Sequence, residues 1–197
     1  MKLVIATRNE DKIREIREIF EGSGFELSSL SEFPQAPEVE ETGETLLENA
    51  LLKAESAANA TGLPAIADDT GLFVDALNGE PGVRSSRYAG ENVSYEENRK
   101  MLLKNLDNVP EAERTARFET IAVLVDEREH FTAKGEVEGL ITSEQRGSNG
   151  FGYDPIFQSA NSEKTFGELT REEKRTISHR GIAFQELLRI LNAKYSS

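Results

Sequence analysis

A mixed α/β fold is predicted by three observations. Short β-branched runs alternate with amphipathic helical segments from the N-terminus onward, which asks for parallel strand pairing. Two long strand-like stretches, residues 115–125 and 130–140, are separated only by the polar turn 126–129, which asks for an antiparallel hairpin. No repeat, low-complexity segment or linker divides the 197 residues, so a single domain over 1–197 is expected.

Each element follows from its residues. Lys2 to Ala6 is a short apolar strand, and Ile13, Ile16, Ile19 and Phe20 then recur at helical spacing. The loop between them, Thr7-Arg8-Asn9-Glu10-Asp11-Lys12, contains no glycine, so it is neither a Walker A loop nor a dinucleotide fingerprint. A phosphate held there must use the helix N-terminus and side chains. Residues 25–30 read as a weak strand, and 31–43 as a loop with two prolines. The run 44–60 reads as a helix stopped by Thr61-Gly62. Residues 64–68 read as a strand ending in Asp68-Asp69-Thr70-Gly71, and residues 72–77 resume an extended pattern before the turn Asn78-Gly79. Capping boxes at Ser94 and Thr170 open a helix to about Leu106 and a short helix to the turn Ser178-His179-Arg180-Gly181. Gly147 to Phe157 reads as a glycine-rich loop entering a strand. Ile182, Leu187, Leu188, Ile190 and Leu191 mark a closing amphipathic helix.

Composition removes several function classes. Twenty-three Lys and Arg against 36 Asp and Glu give a net charge of −13, unsuited to neutralising a phosphate backbone, so nucleic acid is not an expected partner. The excess is uneven: residues 1–150 carry 16 basic and 30 acidic side chains, residues 151–197 seven and six. With no Cys and only His130 and His179, thiol nucleophiles, zinc ribbons and multi-His metal sites are excluded, leaving oxygen ligands for any metal. No apolar run approaches a membrane span, and Leu3-Val4-Ile5-Ala6 is too short for the apolar region of an export signal, so a cytoplasmic protein with no membrane partner is expected.

The candidate chemistry is carboxylate and lysine chemistry. Asp68-Asp69 at a strand end is placed to hold a divalent cation, although Asp-Asp-Thr-Gly is equally good turn sequence. Glu40 and Glu41 are the best further ligands in the acidic run 38–48, while Glu44 and Glu48 suit the helix N-terminus. Lys12 and Lys53 each read singly as solubilising lysines of a helix surface, and together with Lys174 and Arg180 they suit a polyphosphate clamp. Phe151-Gly152-Tyr153-Asp154 offers an aromatic face, glycine clearance and a carboxylate for a flat heterocycle, with a β-bulge carrying core aromatics as its competitor.

In order, TRNEDK, EETGETLLENALLKA, AIADDTGLFVDAL, PGVRSSRYAG, GFGYDPIF and LTREEKRTISHRG resemble the inosine/xanthosine triphosphate pyrophosphatases across residues 3–185. The resemblance implies a long curved mixed sheet flanked by helices in two lobes, with a central nucleotide cleft. It implies a Mg²⁺-dependent homodimer converting ITP, dITP or XTP to the monophosphate and pyrophosphate. By motif position, Thr7, Asn9 and Lys12 would bind the triphosphate, with Arg8, Glu10 and Asp11 completing the loop. Glu40 and Asp69 would hold Mg²⁺, Asp69 also being the base, and Thr70 would touch substrate. Phe151, Gly152, Tyr153, Asp154, Lys174, His179 and Arg180 would contact the nucleotide, supported by Lys53 and Asp68. Arg8 stands where a small residue is usual and Thr70 where Ser is common. The alternatives are a septum-inhibitor-like nucleotide pyrophosphatase of other base range, or a nucleotide sensor that does not hydrolyse.

Overall fold

A computed structural model describes residues 1–127 and 129–195. The turn expected at 126–129 includes Arg128, which lies outside the described residues. In chain order the elements are β1 (Lys2–Ile5), α1 (Glu10–Phe20), β2 (Glu26–Ser29), α2 (Leu46–Thr61), β3 (Ala65–Val74), β4 (Pro81–Gly82) and α3 (Tyr95–Asn105). They continue with β5 (Thr115–Val125), β6 (His130–Ile141), β7 (Phe157–Ser159), α4 (Arg171–Ile177) and α5 (His179–Tyr195). The strands form one sheet in the order β2-β1-β3-β5-β6-β7, with β4 on β3. The fold is mixed α/β: β1 pairs parallel with β2 and β3, whereas β3/β4 and β6/β7 are antiparallel. Among the described residues no helix is long and apolar enough to cross a membrane.

The chain divides into two compact units, the first built from Met1–Asp69, Thr120–Gly135 and the segment from His179 onward. In it the two-residue period of the strands sorts side chains to opposite faces. Leu3, Ile5, Ile66, Ala122 and Leu124 pack with Ile13, Ile16 and Phe20 of α1 and Phe184, Leu187 and Leu191 of α5. The alternate positions Val4, Ala6, Ala65, Ala67 and Val123 pack with Ala50, Ala54 and Ala57 of α2. Small residues on α2 suit close approach to the sheet, and Gly62 in the left-handed region (φ 68°) ends that helix.

The second unit comprises Thr70–Glu119 and Glu136–Ser178. Its core is more aromatic: Phe118, Phe157 and Phe166 pack together with Leu72, Leu102, Leu106, Ile141 and Ile156. The Phe118 and Phe157 rings meet edge to face at 4.7 Å, a favoured quadrupole arrangement. The capping boxes at Ser94 and Thr170 form, with Glu97 and Glu173 as the reciprocal partners.

The structure revises the sequence reading along β3. Asp68-Asp69-Thr70-Gly71 is not a turn; β3 runs unbroken through it to Val74, so the extended stretch expected at 72–77 holds for 72–74 and gives way to a helical turn at 75–77. Buried salt bridges supply counter-charges to both carboxylates within the strand, which lets them sit away from the solvent that a turn would offer. The helix-start turn read at Ser178-His179-Arg180-Gly181 is found: His179, Arg180 and Gly181 are the first turn of α5, and all three are buried.

Candidate active site

Adjacent strand residues point to opposite faces, and Asp68 and Asp69 exploit this to anchor two separate charge networks. Asp68, 3% exposed, lies on the face covered by α1 and α5. Its Oδ2 accepts from Arg180 Nη2 at 3.0 Å and Nε at 3.3 Å, and lies 3.0 Å from Lys12 Nζ. Arg180 Nη1 donates to Glu15 Oε2 at 2.8 Å, so α1 and α5 are tied through one guanidinium. Burial works to raise the Asp68 carboxyl, but Arg180, Lys12 and Lys53 outweigh it and hold it far below the usual carboxylate range. Lys12 moves the other way: burial, aided by the like charges of Lys53 and Arg180, lowers its ammonium despite Asp68.

Asp69 faces α2. Its Oδ1 accepts from Lys53 Nζ at 2.8 Å, and its Oδ2 from Asn49 Nδ2 at 3.3 Å. The same ammonium donates to Glu41 Oε1 at 2.7 Å, so Lys53 bridges two carboxylates. Burial raises the Asp69 carboxyl; Lys53 and Lys12 oppose this and Glu41 reinforces it, the net being upward. For Lys53, burial is outweighed by Asp69, Glu41 and Asp68, which raise it. A cavity of about 150 Å³ beside this network is lined by Thr7, Arg8, Lys53 and the loop residues Pro37, Glu38 and Val39. A larger one of about 700 Å³, lined by Glu55, Asp126, Glu129, Lys194 and Tyr195 among others, shares no residue with it.

The loop before α1 is organised by its own side chains. Thr7 Oγ1 accepts from Asn9 N at 3.2 Å, and Asn9 Oδ1 caps the helix by accepting from Asp11 N at 3.0 Å and Lys12 N at 3.2 Å. Arg8 reaches sideways, its Nη2 donating to Ala36 O at 2.9 Å, which pins the loop leading to Glu40 and Glu41. Glu10 is exposed on the first turn, and Asp11 pairs with Arg14 at 3.4 Å. Glu40 is exposed next to the half-buried Glu41. Glu48 serves the helix cap, accepting from Thr45 N.

In the second unit Asp154, 3% exposed, accepts on Oδ2 from Lys174 Nζ at 2.6 Å and from Phe151 N at 2.7 Å. Lys174 Nζ also stands 5.0 Å from the centroid of the Phe151 ring. Gly150 and Gly152 are in the left-handed region, at φ 70° and 61°, and a Cβ on Gly150 would collide with Asp154 Oδ2. Tyr153 is buried and donates to Ser85 O at 2.8 Å. Thr70, half-buried, follows Asp69 directly in β3.

The structure therefore joins Lys12, Asp68, Arg180, Lys53 and Asp69 in one unit, and Phe151, Asp154 and Lys174 in the other. His179 is buried in the first turn of α5. Glu15, Glu41 and Asn49 complete the networks. Among the described residues no three or more His, Cys, Asp or Glu converge to hold a metal by themselves. Asp69 and Glu41, hard oxygen donors meeting at one ammonium, fit an ion that takes one or two carboxylates and completes its shell with water and phosphate oxygens, which is the behaviour of Mg²⁺.

The Ham1 family model matches residues 3–190. A dITP/XTP pyrophosphatase of Geobacter sulfurreducens is 54% identical over 183 residues, 92% of each chain. One from Elusimicrobium minutum is 50% identical over 192 residues, covering 95% of this chain and 98% of its own. Among solved structures, a HAM1 protein from Coxiella burnetii superposes with a TM-score of 0.89 at 41% identity, covering 98% of this chain and 99% of its own. The Staphylococcus aureus Ham1 protein gives 0.87 at 43%, over 98% and 100%. The chain belongs to the Ham1 family.

Proposed function

We propose that this chain hydrolyses the deaminated purine nucleoside triphosphates ITP, dITP and XTP at the α–β phosphoanhydride bond, releasing the monophosphate and pyrophosphate. The observation that carries the reading is Asp69, a buried carboxylate with a raised pKa held between Lys53 and Asn49. The names of the relatives support the substrate class.

Asp69 is the base: it orients a water and takes its proton as the oxygen bonds to the α-phosphorus and the bond to the pyrophosphate oxygen breaks. Burial, which shifts it upward, makes it a better proton acceptor than a free carboxylate, and Lys53 and Lys12 oppose that shift. Lys12, Lys53 and the N-terminus of α1, with Thr7 and Asn9, neutralise and orient the phosphates. Arg8 serves by pinning the acidic loop, and Glu10 and Asp11 by completing the turn. Asp69, with Glu40 or Glu41, would hold Mg²⁺, which when bound supplies charge neutralisation to the leaving pyrophosphate. Asp68 fixes Lys12 and Arg180, and Thr70 is a substrate contact. In the second unit Phe151, Gly152, Tyr153, Asp154 and Lys174 are nucleotide contacts, the Phe151 ring stacking on the purine, and in the first unit His179 and Arg180 are nucleotide contacts. Hypoxanthine and xanthine offer O6 as an acceptor and N1–H as a donor, the reverse of adenine, so cationic donors select against ATP. The working form is a cytoplasmic homodimer, a single domain over 1–197.

The test is pyrophosphate release from ITP, XTP, ATP, GTP and dTTP with Mg²⁺ and with EDTA. Release from ITP and XTP that exceeds ATP and stops with EDTA is expected, and Asp69→Asn should bind ITP while losing most turnover. No Mg²⁺-dependent release would overturn the reading, and near-normal turnover of Asp69→Asn would remove it as the base.

A further inference from the structure

We propose that Arg99, with Tyr95 beside it on α3, is a positioning residue that sets the turn 151–154 for nucleobase recognition. The inference rests on the reading that this turn meets the purine. A turn that contains Gly152 and follows Gly150, both in the left-handed region, has little conformational preference of its own and must be fixed by contacts. Asp154 fixes it from within, through Phe151 N. Arg99 fixes it from without: Nη1 donates to Gly152 O at 2.6 Å, and Nε donates to Gln145 Oε1 at 2.7 Å. One guanidinium thus staples two points of the 145–152 segment with charge-assisted bonds.

Tyr95 and Arg99 are four residues apart on α3 and share a face. The Tyr95 ring, 39% exposed, lies 5.8 Å from the Phe151 ring at 44°, so it braces the side chain that would stack on the base. α3 is itself immobilised. Asn98 between them donates to Ser86 O at 2.9 Å and accepts from Ala89 N at 2.8 Å, and the Ser94 capping box ties down the helix start. Tyr153 returns the other side of the turn to Ser85 O. The path from α3 to Phe151 is therefore continuous through hydrogen bonds and ring contact. A brace of this kind predicts loss of base affinity without loss of phosphate affinity.

The experiment uses the full chain with Arg99→Met, Arg99→Lys and Tyr95→Ala, measuring ITP kinetics and calorimetric binding of IMP and of pyrophosphate with Mg²⁺. For Arg99→Met, KM for ITP and Kd for IMP should each rise on the order of tenfold, the scale of a lost charged hydrogen bond, with kcat within about threefold and pyrophosphate binding unchanged. Arg99→Lys should recover part of the IMP affinity, and Tyr95→Ala should weaken IMP alone. Unchanged IMP binding in Arg99→Met and Tyr95→Ala, or a parallel fall in IMP and pyrophosphate binding, would overturn the proposal. Wild-type protein that releases no pyrophosphate from ITP would instead fail the parent reading.

Discussion

Replacing Asp68 by Asn keeps the size of the side chain and one acceptor but removes the negative charge that Arg180 and Lys12 share. The side chains of Asp68, Arg180 and Lys12 are 1%, 3% and 17% exposed, so water cannot take over the lost charge. Breaking a buried pair by deleting one partner costs about 3–5 kcal/mol, because the remaining ion is left uncompensated. At roughly 2–4 °C per kcal/mol for a chain of this size, Tm should fall by about 6–20 °C. Removing the orphaned cation as well should recover part of the loss, so Asp68→Asn/Arg180→Met should cost about 1–3 kcal/mol less than the sum of the single variants. Urea and thermal unfolding by circular dichroism measure all four corners of the cycle. A single variant within 1 kcal/mol of wild type, or a strictly additive cycle, would refute the claim that Asp68 and Arg180 form one buried unit.

Gly135 of β6 backs onto the first turn of α5, where a Cβ would collide with the His179 carbonyl oxygen and the Ala183 nitrogen. Gly135→Ala should cost about 1–3 kcal/mol in urea unfolding through overpacking against backbone; unchanged stability would show that α5 can slide. Tyr195 donates to Asp126 Oδ2 at 2.8 Å, and burial, this bond and the Asp126 charge push its phenol up to about 12. The folded state therefore holds the proton more tightly than the free phenol near 10, and the stability from this bond is full below that value and lost as pH rises through about 12. In Asp126→Asn the phenol should ionise at lower pH, followed by absorbance at 295 nm; an unmoved titration would contradict the assigned cause.

Much of this arrangement is legible in residue order, and the parts that are not have physical reasons. The TRNEDK segment announces a helix N-terminus, and the Asn9 cap follows from it. Asp68-Asp69 announces chemistry but not direction: strand and turn suit the dipeptide equally until Lys12, Arg180 and Lys53, distant in sequence, supply the counter-charges. Asn49 did leave a signal, being four residues before Lys53 on a helix face otherwise lined by Ala50, Ala54 and Ala57, where a buried amide needs a polar partner. Glu15 left less, since a glutamate in a charged surface helix reads as solvation until Arg180 is seen against it. Thr45-Leu-Leu-Glu48 has the capping-box form and starts α2 at Leu46, two residues later than the run read from 44. Arg99 is silent in the sequence, because its partners are a backbone carbonyl and a loop glutamine.

The most direct test of the proposed reaction is hydrolysis of ITP in ¹⁸O-water with Mg²⁺, followed by mass spectrometry of both products. Attack at the α-phosphorus predicts one ¹⁸O in the inosine monophosphate and none in the pyrophosphate, and almost no turnover in Asp69→Asn. Label in the pyrophosphate, or release of orthophosphate in its place, would contradict the account.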